Sequence, residues 1–72
     1  MYIFDYSKLR GKIRENGLTQ EELAKELSVA PATLSLKLNN ASEFSQSEIR
    51  DMCEILNITG AELSDYFFSR KV

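Results

Sequence analysis

The chain has 72 residues, 43% of them hydrophobic, a net charge of −2, one cysteine and no histidine. That length allows one domain near the lower limit for a single hydrophobic core, and no apolar run is long enough for a transmembrane helix. A lone Cys53 without histidine cannot build an internal disulfide, a zinc site or a Cys–His nucleophile. No metal, cofactor or enzymatic activity is therefore expected.

Residues 1–4 read as an N-terminal arm and residues 5–72 as the folded domain. Met1-Tyr2-Ile3-Phe4-Asp5 lacks the basic-then-apolar layout of a signal peptide, so a cytoplasmic location is expected. Asp5 can cap a first helix whose buried face is Tyr6, Leu9 and Ile13, ended by Asn16-Gly17. Thr19 with Glu22 three residues later is a capping box, in which hydroxyl and carboxylate satisfy backbone N–H groups at a helix start. Leu23 and Leu27 share one face of that second helix, and Ala24 is small enough for another helix to cross closely.

Ser28-Val29-Ala30 forms a turn with Val29 plugging its inside corner, and Pro31 suits the first turn of a third helix. Leu34 and Leu38 give that helix its inward stripe. Phe44 is expected to anchor the next loop in the core. Ser45 to Glu48 is a second capping box, opening a helix with Ile49, Met52, Cys53 and Leu56 on one face, which makes Cys53 core filler. Thr59 to Glu62 is a third, opening a helix with Leu63 and Phe67 inward. Five helices without an alternating strand pattern make an all-α domain, its second and third helices forming a central helix-turn-helix.

The run from Gly17-Leu18-Thr19-Gln20-Glu21-Glu22-Leu23-Ala24 through Leu27, with Thr33-Leu34-Ser35 downstream, resembles the phage Cro and repressor type of helix-turn-helix domain. The likeness continues through Leu36-Lys37-Leu38-Asn39-Asn40, Phe44, Gln46-Ser47-Glu48-Ile49, Leu56-Asn57-Ile58 and Tyr66-Phe67-Phe68. The resemblance implies a five-helix phage-repressor-like domain in a bacterial host, with the third helix presented to a macromolecular groove. It makes Pro31, Ala32, Thr33, Ser35, Leu36, Lys37, Asn39 and Asn40 the candidate partner- or DNA-binding residues. Thr19, Gln20 and Lys37 become the candidate phosphate contacts. Two positions depart from the pattern: Ser28 stands where the family usually has glycine at positive φ, and Lys37 where it usually has an apolar core residue.

Charge and the presenting helix oppose a simple DNA-binding role. Lys8, Arg10, Lys12 and Arg14 against Asp5 give residues 1–14 a charge of +3, whereas residues 43–66 carry −5 from Glu43, Glu48, Asp51, Glu54, Glu62 and Asp65 against Arg50. DNA affinity comes mainly from cations meeting phosphates, and the loop Asn39-Asn40-Ala41-Ser42-Glu43 supplies none. Leu36 lies roughly 200° from Leu34 around the helix and should be exposed. Base reading relies on polar and charged side chains over base edges, while an exposed leucine suits a protein pocket.

Together, length, acidity and motif are similar to the antirepressors, or modulators of repression, of temperate-phage switches. The resemblance implies a regulator of the lysis–lysogeny decision that binds the DNA-binding domain of the phage repressor and blocks its operator binding. The alternative is a Cro-like repressor that binds operator DNA directly, and the two roles can coexist with weak DNA binding. The aromatic residues at both ends suggest that Tyr2, Ile3 and Phe4 fold against the last helix, covering Tyr66 or Phe68. A monomer is expected, with a dimer through Tyr66 and Phe68 as the competing arrangement.

Overall fold

The computed structural model describes residues 3–70, so Tyr2 of the expected arm lies outside the described residues. Among the described residues five α-helices follow in order: α1 (Ser7–Glu15), α2 (Gln20–Glu26), α3 (Pro31–Leu38), α4 (Gln46–Leu56) and α5 (Leu63–Phe67). A single 3₁₀ turn, Gly60–Glu62, leads into α5. Outside the helices, an isolated antiparallel bridge pairs Phe4 with Arg70.

Each of the first four helices ends in the same way. Gly17, Ser28, Asn40 and Asn57 all adopt positive φ, at 74°, 58°, 63° and 58°. The next residue then donates its N–H five residues back: Leu18 to Ile13, Val29 to Ala24, Ala41 to Leu36 and Ile58 to Cys53. These bonds satisfy carbonyls that a helix end leaves orphaned. Ser28 therefore takes the left-handed backbone that glycine would favour, at the cost of steric strain at its Cβ.

The helix starts follow the side-chain pattern with two adjustments. Thr19 and Ser45 form full capping boxes with Glu22 and Glu48. Asp5 sits one residue ahead of the N-cap position, which Tyr6 occupies, yet its Oδ1 accepts the N–H of Ser7 at 2.9 Å. At the third box the Glu62 carboxylate accepts from both the N–H and the hydroxyl of Thr59, and the Glu62 N–H bonds the Thr59 carbonyl. That short i→i+3 bond closes a 3₁₀ turn, so α5 proper begins only at Leu63.

The core gathers one stripe from every helix. Leu9, Leu23, Ala24, Leu34, Met52 and Leu56 are sealed from solvent, joined by Tyr6, Ile13, Leu38, Ile58, Tyr66 and Phe67. Each fully buried leucine contributes about 1.5–3 kcal/mol of transfer free energy. Leu27, Val29, Ile49, Cys53 and Leu63 are half-buried against this cluster. Phe44 packs edge-on to Tyr6 and Phe67, with centroids 5.5 and 5.8 Å away, and so ties the loop before α4 to the core.

The N-terminal strap closes over the last helix. Phe4 meets Phe68 edge-on at 5.9 Å, and the Asp5 N–H donates to the Ser69 carbonyl at 2.7 Å. Tyr66 is buried, while Phe68 remains 48% exposed. No helix among the described residues is long and apolar enough to cross a membrane.

Candidate functional site

The exposed side of α3 is the molecule's presenting face. Ala30 in extended conformation precedes Pro31 at the first helical position, where a missing N–H leaves nothing unsatisfied. With Leu34 and Leu38 inward, Pro31, Ala32 and Leu36 point to solvent, and Thr33 and Ser35 are half-buried beside them. Leu36 is 53% exposed at the middle of this face. The central presented surface is therefore apolar and uncharged.

Lys37 does not extend that surface. Its ammonium turns back onto α4 and lies 2.5 Å from both carboxylate oxygens of Glu48, with the two side chains only 13% and 17% exposed. The cation expected at a DNA phosphate is thus neutralised inside the protein. Burial alone would raise the Glu48 carboxyl. Hydrogen bonds from Lys37 and from the Ser45 amide and hydroxyl, with the Lys37 charge, outweigh it and hold the group below the usual carboxylate range.

Asn39 and Asn40 are also occupied within the fold. The Arg10 guanidinium donates to Asn39 Oδ1 at 3.0 Å and to the Leu38 carbonyl at 3.3 Å, capping the end of α3. The Asn40 amide grips the strap from both sides, accepting the Phe4 N–H and donating to the Phe4 carbonyl, each at 2.9 Å. The Asn40 amide is therefore engaged within the fold. Arg10, which sequence reasoning left among the surface charges of α1, joins α1 to α3.

The structure does assemble a basic cleft elsewhere. Arg10, Arg14, Thr19 and Gln20 line a depression of about 270 Å³ between α1 and the start of α2, floored by Ile13 and Leu18. Thr19 contributes little spare capacity, because its amide and hydroxyl oxygen already serve the capping box. Arg14 has no ion-pair partner among the described residues, unlike Lys8, which faces Asp65 at 3.9 Å, and Lys12, which faces Glu15 at 3.7 Å. Arg10 and Arg14 join the candidate site residues through this shared cleft. Their i, i+4 separation, one helical turn, was the available signal.

No group of three or more potential metal ligands is present among the described residues. Burial raises the Cys53 thiol above its ordinary value, which disfavours the reactive thiolate.

The family described as "Protein of unknown function (DUF739)" matches residues 2–70. The chain belongs to this family. Among solved structures, the DUF739 chain is similar to the modulator of repression (MOR) of the temperate bacteriophage TP901-1 from Lactococcus lactis, with 35% identity and a TM-score of 0.78. That likeness covers 90% of this chain and 88% of the other. It is also similar to the clp gene regulator ClgR from C. glutamicum, at 27% identity and a TM-score of 0.69, covering 83% of this chain and 78% of that one. No curated protein matches. This member of the family thus has the all-helical fold of small regulatory proteins.

Proposed function

We propose that the protein is a regulator of a phage lysis–lysogeny switch that works mainly as an antirepressor in the cytoplasm of a bacterial host. One copy binds the DNA-binding domain of the phage repressor through the α3 face and covers the surface that operator DNA needs. The observation that carries this is Leu36, 53% exposed at the centre of an apolar presenting face whose one cation, Lys37, is locked onto Glu48. An apolar anchor gains most in a protein pocket, and a chain of net charge −2 complements a DNA-binding domain while repelling DNA itself. The likeness to a modulator of repression supports the same assignment. Sedimentation of an equimolar mixture with the repressor's DNA-binding domain tests it. A one-to-one complex is expected, and two species sedimenting independently would contradict it.

A second role, weak direct contact with operator DNA, is favoured by the cleft of Arg10, Arg14, Thr19 and Gln20. Few phosphates can be met there, so affinity should be low and fall steeply with salt. Arg14→Ala should remove much of any such binding. Nanomolar, sequence-selective operator binding by the chain alone would make this the main function.

A further inference from the structure

Arg10 belongs to two sites at once. It lines the basic cleft with Arg14 and Gln20, yet its guanidinium is committed to the end of the presenting helix. Nη2 donates to Asn39 Oδ1 at 3.0 Å and to the Leu38 carbonyl at 3.3 Å, so both of its hydrogens are in use. The effect runs on into α3. Asn39 Nδ2 lies 3.5 Å from Ser35 Oγ, one turn back and next to Leu36 in the chain, and the Leu38 carbonyl is among those that a helix end leaves without an intrahelical partner.

The shape of the guanidinium sets these duties against each other. A phosphate is held bidentately across one edge of the fork. The two edges clear of the side-chain stem, Nε with Nη2 and Nη1 with Nη2, both include Nη2. An oxyanion chelated by Arg10 therefore takes a hydrogen that α3 now uses. Both present acceptors are neutral, and a hydrogen bond to an ionised acceptor is roughly twice as strong, so the anion competes well. Arg14, one turn along α1, adds a second cation to the cleft and has no ion-pair partner among the described residues.

We propose that Arg10 is a positioning residue for α3 and links it to the cleft: a phosphate oxyanion held by Arg10 and Arg14 releases the end of the presenting helix, so that the cleft and the α3 face oppose each other's binding. This rests on the second role, in which the cleft contacts DNA. By linkage the opposition is reciprocal. A partner that needs α3 held at Asn39 weakens the grip of the cleft on phosphate by the same factor, and a chain engaged through α3 is thereby kept off DNA.

The test is an NMR titration of the full-length chain with inorganic phosphate, against sodium chloride at matched ionic strength. It follows the Nε–H signals of Arg10 and Arg14 and the side-chain amides of Gln20 and Asn39, in wild type, Arg14→Ala and Arg10→Lys. In the wild type the Asn39 amide should move with the cleft signals along one binding curve. Arg14→Ala removes a cation that touches neither α3 acceptor, and should weaken both responses together by about two- to fivefold. Arg10→Lys keeps the charge but loses the fork, so the remaining cleft signals should still respond while Asn39 stays still. Cleft signals that move in the wild type without Asn39, or an Asn39 response undiminished in Arg10→Lys, overturn the inference and leave the cleft's DNA-contacting role standing. Cleft signals that do not respond beyond the chloride control overturn both.

Discussion

Lys37 of α3 and Glu48 of α4 form a largely buried ion pair in which the ammonium meets both carboxylate oxygens. Glu48 is at the same time the N3 residue of the Ser45 capping box, so one carboxylate sets both the start of α4 and the seat of the presenting helix. Removing either partner strands a desolvated charge. Lys37→Met or Glu48→Gln should lower stability by about 2–4 kcal/mol, measured by urea unfolding. A change within experimental error would show that the pair contributes nothing to the placement of α3.

The same carboxylate predicts an acid dependence. Glu48 titrates below its ordinary value of 4.5 in the folded protein, as does Glu62 through its hydrogen bonds from Thr59. A folded-state value depressed in this way gives stability that is fully present above the unfolded value and is lost as pH falls through the folded one. Thermal unfolding should therefore be flat from neutral pH down to about 5 and fall below that. Glu48→Gln should flatten the acid limb. An unchanged limb in that variant would remove Glu48 from the account.

Leu34 and Leu36, two residues apart on α3, should respond in opposite ways to truncation. Leu34 is sealed in the core, so Leu34→Ala should cost about 2–5 kcal/mol. Leu36→Ala should leave stability within about 0.5 kcal/mol while weakening partner binding. Equal losses of stability would mean that Leu36 packs within the fold.

Ser28 holds φ at 58° where α2 ends and the turn to α3 begins. Ser28→Gly removes the Cβ strain but adds freedom to the unfolded chain, and the balance should be a gain of about 0.5–1 kcal/mol. Denaturant midpoints at constant slope would measure it. A loss would indicate that the serine side chain makes a compensating contact.

Local rules written in short windows made most of the fold legible. Three Ser/Thr-to-Glu spacings marked helix starts, apolar spacing assigned Leu9, Ile13, Leu23, Leu34, Met52 and Phe67 to the core, and the angle from Leu34 exposed Leu36. Ser28 stands where the resembled family usually has glycine, and it adopts the positive φ of 58° that such a position requires. The long-range partnerships were not legible. Lys37 and Asn40 carry ordinary surface chemistry in sequence, and only the crossing of α3 with α4 and with the strap brings Glu48 and the Phe4 backbone to them. Arg10 was hidden for the same reason, since its partners at Leu38 and Asn39 lie 28 and 29 residues away. The strap's fold onto α5 is legible in the aromatic residues at both ends of the chain, which are more than a five-helix core of this size can hide, although Phe68 stays partly uncovered.

The antirepressor assignment is tested most directly by fluorescence anisotropy of labelled phage operator DNA saturated with its repressor at physiological salt, titrated with this chain. Release of the DNA near equimolar chain, with Leu36→Ala displaced to higher concentration, is the predicted result. A signal that stays high, or rises as this chain joins the DNA, would contradict it.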